Sequence, residues 1–165
     1  MNLELKNIKH SEFASQETHC YEATLYIDGV RTAIVSNDGH GGCDNWHALP
    51  NKQGEPCPVN RAKLEEAIKW CEDNKRSKYD SLESRCCDMV NDWLYSKDAK
   101  RILRKICYIN PDDNEIYSLP AKHKPTPENL DRLRASNWWR DDFLLLNAFD
   151  RDTAINMIVD NLKGH

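Results

Sequence analysis

At 165 residues, with 39% hydrophobic and 30% charged residues, the chain has material for one domain with an economical core under a heavily solvated surface. A net charge of −4 and a pI near 5.9 exclude a general basic coat for nucleic acid, and the charge is too mild and too mixed in sign for a DNA mimic. No apolar run approaches bilayer length, Met1-Asn2-Leu3-Glu4-Leu5-Lys6 lacks the apolar heart of a signal peptide, and an odd seven cysteines with Cys86-Cys87 adjacent make no disulfide framework. A reduced protein of the cytoplasm is expected.

Residues 3–10 alternate Leu3, Leu5 and Ile8 loosely and predict a first strand. Tyr21 to Ile27, then Asp28-Gly29, then Val30 to Val35 read as a β-hairpin on a type I′ turn. A two-residue turn predicts that paired positions sum to 57, so that Ile27 faces Val30, Leu25 faces Thr32 and Ala23 faces Ile34. Extended to the open end, that register sets Cys20 beside Asn37 and His19 beside Asp38, with Glu12 to Glu17 close by.

Ser36-Asn37-Asp38-Gly39-His40-Gly41-Gly42-Cys43-Asp44-Asn45-Trp46-His47 follows directly. Glycines at this density let backbone come close to another group, and this loop is the first place to look for function. Residues 48–58 form a proline-rich loop, and Asn60 is expected to cap a helix with Val59 and Leu64 as a hydrophobic staple and Leu64, Ala67, Ile68 and Cys71 inward. A second helix starts at Asp80 or Ser81, buries Leu82, Cys86, Met89, Val90, Trp93 and Leu94, and continues through Ala99, Ile102 and Leu103.

Ile106 to Ile109 and Glu115 to Leu119 flank a polar turn and predict a second hairpin. Thr126-Pro127-Glu128 opens a helix, Phe143-Leu144-Leu145-Leu146 reads as either a buried strand or the head of a helix, and Asp150 caps a last helix stopped at Gly164. The expected fold is α+β in one domain of three regions: residues 1–47 an antiparallel meander with the glycine loop, 59–105 helical, and 106–165 a hairpin with helices.

Three chemistries suit these residues. His19, Cys20, His40, Cys43 and His47 offer the nitrogen and sulfur donors that zinc takes, at a spacing that matches no standard finger, so the expected cofactor is none with zinc as the alternative. The same residues suit a thiol nucleophile, Cys43 or Cys20 with a histidine base and Asp38 or Asp44 as orienter. Lys97, Lys100, Arg101, Arg104 and Lys105 form a basic stripe that fits a solvated helix face with cations near its C-terminus, with a nucleic-acid groove as the alternative. Trp138-Trp139-Arg140, with Trp46 in the glycine loop, are candidate interface anchors, one of the adjacent tryptophans in the core and the other partly exposed. The contact surface read from the sequence is therefore Asp38, His40, Trp46, Lys100, Arg101, Arg104, Trp138 and Trp139.

The run from Glu12 to Thr18, with Tyr21 to Gly29 and Val35 to Gly42, resembles the opening of a group of small bacteriophage and prophage proteins without known activity. The resemblance covers about the first 45 residues and implies a gene of a phage or mobile element acting in bacterial cytoplasm. Small proteins of that kind bind a host or phage macromolecule, and inhibitors of bacterial defence, anti-CRISPR proteins among them, are one such class. The expected function is thus a non-enzymatic accessory protein binding a bacterial or phage protein. The alternatives are a zinc or Cys/His-dependent enzyme and a nucleic-acid-binding regulator.

Overall fold

The computed structural model describes residues 1–164. It is an α+β fold whose contacts gather into two compact units, Met1–Asn91 and Asp92 to the end of the described chain. Four strands of the first unit, β1 (Leu3–His10), β2 (Cys20–Ile27), β3 (Val30–Asp38) and β4 (Asn45–Ala48), make an antiparallel meander in sequence order. Helix α1 (Pro58–Asp73) packs on β2, β3 and β4. Helix α2 (Leu82–Ile102) lends residues 82–91 to this unit. Leu25, Ile27, Ala33, Leu64, Ala67, Cys71, Leu82 and Cys86 form its core, with Leu3, Leu5 and Trp46 packed around them.

The predicted hairpin forms, with Asp28 and Gly29 both at positive φ (49° and 76°) as a type I′ turn requires. Its register is a correction to the sequence reading. Ile27 faces Val30 and Tyr26 faces Arg31, but Leu25 then faces Ala33, because Thr32 is an extra residue on β3. From there on pairs sum to 58: Ala23 meets Val35, Tyr21 meets Asn37, and Cys20 meets Asp38 rather than Asn37. The physical reason is side-chain fit. The bulge turns Ala33 and Val35 into the core with complete burial, leaves Ile34 partly exposed, and lets the buried Thr32 hydroxyl donate to the Val30 carbonyl at 2.9 Å.

A second bulge explains the loose alternation of the first strand. Lys6 pairs with Thr24 but Lys9 pairs with Glu22, and Asn7 takes positive φ (54°) at the irregularity. The extra residue puts Ile8 back on the face of Leu3 and Leu5, which strict alternation would have denied it.

Helix α1 starts earlier than predicted. Pro58 occupies its first turn and Cys57 stands at the cap without a side-chain bond, while the Asn60 amide donates to the Leu49 carbonyl at 2.8 Å. Proline fits there because its missing N–H would go unbonded anyway. Val59 is 64% exposed, so the predicted staple with Leu64 does not form, and Ile68 also lies at the surface. At the head of α2, Ser81 and Ser84 exchange bonds, each hydroxyl accepting the other's backbone N–H (3.1 and 2.8 Å).

The α1–α2 connection is held by Asp80. Its buried carboxylate accepts from the Arg76 N–H (2.8 Å), from the Arg76 guanidinium (2.9 Å) and from Arg85 (2.7 Å). Arg85 also lies over the Trp70 ring and donates to the Asn74 carbonyl.

In the second unit, β5 (Cys107–Ile109) pairs with β6 (Ile116–Ser118) as predicted and on its other side with β7 (Leu144–Leu145). The ambiguous run Phe143 to Leu146 thus resolves into a short strand that runs into a 3-10 turn, Leu146–Ala148. Helix α3 (Pro127–Arg134) is capped by Thr126, and α4 (Arg151–Lys163) by Asp150, whose carboxylate accepts from the Asp152 and Thr153 N–H groups. Ala99, Cys107, Leu146, Ile155 and Ile158 form one core cluster; Ile106, Leu133 and Leu145 form another. No helix of the described residues is long and apolar enough to cross a membrane.

The bonds from Arg85 and Arg76 hold the Asp80 carboxyl well below the usual carboxylate range. A folded pKa below the unfolded one gives stability that is complete above about pH 4 and fades as pH falls toward the folded value. Urea midpoints at pH 7 and pH 3 should therefore drop less in Asp80→Asn than in the wild type, with the variant already weaker at pH 7. Equal drops would remove Asp80 from the acid response.

Candidate functional site

The glycine loop is built around close approach to the segment from Glu12 to Thr18. Gly39 has φ +88°, and a Cβ there would stand 2.2 Å from the Ala14 carbonyl oxygen, so neither the conformation nor the space admits a side chain. Its own carbonyl accepts from the N–H groups of Gln16 (3.0 Å), Glu17 (3.0 Å) and Thr18 (3.3 Å). Asn37, turned inward by the β3 bulge, ties the two loops together. Its Oδ1 accepts from the Thr18 hydroxyl (2.8 Å) and the Gly39 N–H (2.9 Å), and its Nδ2 donates to the Gly42 carbonyl (2.9 Å) and Asp44 (3.1 Å). Asp44 completes the network: its other oxygen accepts from the Tyr21 hydroxyl at 2.5 Å, and its N–H donates to Glu83 at 2.9 Å. Burial pushes the Asp44 carboxyl up, against the bonds from Tyr21 and Asn37, and burial with the Asp44 bond pushes the Tyr21 phenol up. The sequence reading put the loop beside residues 12–20, and it lies there; its polar groups are spent on fixing the loop.

The candidate metal ligands point to separate partners. His19 bonds Asn91 at 2.8 Å and sets its ring edge-on to His10, 5.3 Å away. His40 faces Gln16 at 3.3 Å, with its N–H on the exposed Asp38 carboxylate. His47 sits on β4 opposite Ile34, Cys20 is partly buried beside Gly39, and Cys43 is exposed. Among the described residues no three His, Cys, Asp or Glu side chains are grouped to hold a metal ion. The thiols that deviate from ordinary acidity do so in the unreactive direction, Cys107 pushed up to about 12 by burial and Cys86 and Cys87 also raised by burial.

The other candidates divide. Trp46 lies on β4 opposite Val35, partly buried against the first unit's core, and so packs rather than projects. On the basic stripe, Arg101 pairs with Asp98 (3.2 Å) and Lys97 lies over the Trp93 ring (5.1 Å). Lys100 and Arg104 instead line a common cavity of about 420 Å³.

Trp138 and Trp139 belong to an aromatic cluster centred on Tyr108. Ring centroids lie 4.8 Å away for Phe143, 5.4 Å for Trp139, 5.7 Å for Tyr117 and 6.3 Å for Trp138. Trp139 is partly buried against the core of Ile106, Leu133 and Leu145, while Trp138 is 49% exposed, the split expected of adjacent tryptophans. Arg140 lies over Phe143 and bonds both Asp112 and Asp142, and the Tyr117 hydroxyl donates to Asp113 at 2.8 Å. A cleft of about 330 Å³ opens beside Trp138 over Ile106, Leu119 and Leu133. Arg140 belongs to the anchor run read from the sequence, whereas Tyr108, Tyr117 and Phe143 are not among the site residues that reading offers. The signal that finds the first two is the second hairpin's register, which makes Tyr108 and Tyr117 a direct cross-strand pair.

Substitution of the loop's two fixed points should show as stability. Asn37→Ala strands several buried donors and acceptors, and Gly39→Ala meets both positive φ and the Ala14 carbonyl, so each should lower unfolding free energy by about 2 kcal/mol or more. Gly42→Ala, with open space at its Cβ and no positive φ, should cost well under that. Denaturant titration of the three variants reads the order directly.

Comparison with family models, with curated proteins and with solved structures finds no match.

Proposed function

We propose that this chain is a non-enzymatic accessory protein that binds a protein partner through the Trp138–Tyr117 aromatic surface. In this reading it acts stoichiometrically, as a blocker of the sort bacteriophages and mobile elements direct against bacterial defence systems, in the host cytoplasm. One observation carries the binding role: a ring cluster anchored in the core at Trp139 keeps Trp138 and Tyr117 nearly half in water, with Trp138 in the wall of a cleft floored by Ile106, Leu119 and Leu133. Tryptophan, tyrosine and arginine concentrate binding energy at interfaces, most of all where a rigid ring stands next to a pocket. The N-terminal resemblance supports the phage setting.

The surrounding charge supports a partner with basic groups. Asp112, Asp113 and Asp142 border the rings; Arg140 is held by two of these carboxylates, and Arg132, in the wall of the cleft, pairs with Glu128. Phosphate backbone would meet repulsion there, whereas lysine and arginine side chains would meet complementary charge.

A bacterial strain carrying a defence system and challenged with a phage it restricts supplies the test. Expression of the wild type should restore plating in proportion to its level, and Trp138→Ala with Tyr117→Ala should lose that effect. In direct binding to the blocked component the pair should cost about 30-fold or more in affinity. Circular dichroism matching the wild type shows that the surface variant is folded. Full protection by the folded variant would overturn the assignment of this surface.

A further inference from the structure

Every arginine of the described chain other than Arg31, Arg104 and Arg151 lies within ion-pair distance of a carboxylate. Two of those three line the same cavity of about 420 Å³, and Lys100 joins them. Lys100 stands in the last turn of α2, Arg104 in the turn that follows, and Arg151 opens α4, so separate elements bring the charges together. Arg151 has a carboxylate on either side in sequence: Asp150 is spent on the N–H groups of Asp152 and Thr153, and Asp152 does not line the cavity. Asn147, at the same cavity, likewise has its amide committed to the backbone of Cys107, Leu103 and Lys105. The remaining lining is apolar: Leu103, Leu146 and Ala154 below, Pro125 and Phe149 at the edge, with Phe149 41% exposed.

Three like charges without carboxylate partners around one concavity repel each other, and the arrangement is relieved by a compact polyanion. From this geometry we infer that the cavity is a binding site for a nucleoside polyphosphate, its phosphates between Lys100, Arg104 and Arg151 and its base against Phe149. Arginine forks and a lysine point charge are the groups that recognise phosphate oxygens, and the volume falls within the ~300–1,000 Å³ of small-molecule sites. A polynucleotide needs a track of free cations. Here the neighbouring Arg101 is paired with Asp98 and Lys97 lies over the Trp93 ring, while Lys100, Arg104 and Arg151 share one concavity. The inference stands apart from the aromatic surface and does not rest on it.

Isothermal titration of the full chain with ATP, GTP, inorganic triphosphate and a single-stranded oligothymidylate tests it. One equivalent of ATP or GTP should bind, and Arg104→Gln with Arg151→Gln should weaken that binding at least tenfold while thermal melting stays as in the wild type, because both side chains are exposed. Phe149→Ala should weaken nucleotide binding and leave triphosphate unchanged. No binding of either nucleotide at about 2 mM overturns the proposal. So does equal affinity in the arginine double variant, triphosphate binding as tightly as the nucleotides, or oligonucleotide binding that is tighter and grows with length.

Discussion

One extra residue in the third strand governs the first unit. Without the bulge at Thr32, strict hairpin pairing would turn Thr32, Ile34 and Ser36 toward the helix-covered side. With it, Ala33, Val35 and Asn37 take those places, all three buried. Small Ala33 and Val35 let α1 come close to the sheet, while Asn37 arrives where four polar partners wait for it. Sheet register has a period of two, so a single inserted residue changes every inward side chain beyond it. The loop's attachment to residues 12–18 follows from that shift, since Asn37 on the outer face would reach none of those partners.

This is also why the sequence was legible only up to a point. Local chemistry was readable: the Asp28-Gly29 turn, Thr126 and Asp150 as caps, the stop at Gly164, and the second hairpin all follow from propensities that act within a few residues. Bulges are not local in that sense. The one at Asn7 left a trace in the spacing of Leu3, Leu5 and Ile8, but the one at Thr32 is chosen by packing against distant helices, and Ile34 looks as apolar as Val35. Asn60 misled for a related reason: its cap chemistry is real, yet the amide is engaged by Leu49 and proline decides the helix start three residues earlier.

The candidate sites were legible in a different measure. Histidines and cysteines close in sequence drew attention to the glycine loop, but strands and turns aim neighbouring side chains in opposite directions, and each histidine with a resolved partner there has a different one. Gly39 serves close backbone packing against Ala14, a role that draws on the same residue type as a ligand-binding loop. In the second unit the tryptophan pair was visible at once. The rings that give it a surface, Tyr108 and Tyr117 on paired strands and Phe143 just before a third, meet only once the pairing of those strands is known.

Charge distribution separates the parts of the molecule that are finished from those that are open. At Asp80 two arginines and a backbone N–H converge on one buried carboxylate, and Arg140 is answered by two carboxylates, so neither cluster has capacity left for a ligand. Surface pairs such as Arg132 with Glu128 contribute little to stability, but they show how readily this acidic chain supplies a carboxylate to an arginine. Against that background, two arginines and a lysine left facing one cavity are a departure that the fold itself does not explain. The two open features differ in kind. The aromatic surface offers ring area with Asp112, Asp113 and Asp142 at its edge, which is why a partner with basic groups is proposed for it, and the cavity offers positive charge over an apolar floor, which is why phosphate is proposed there. Opposite electrostatics on surfaces of one small unit argue for two classes of ligand rather than one extended interface.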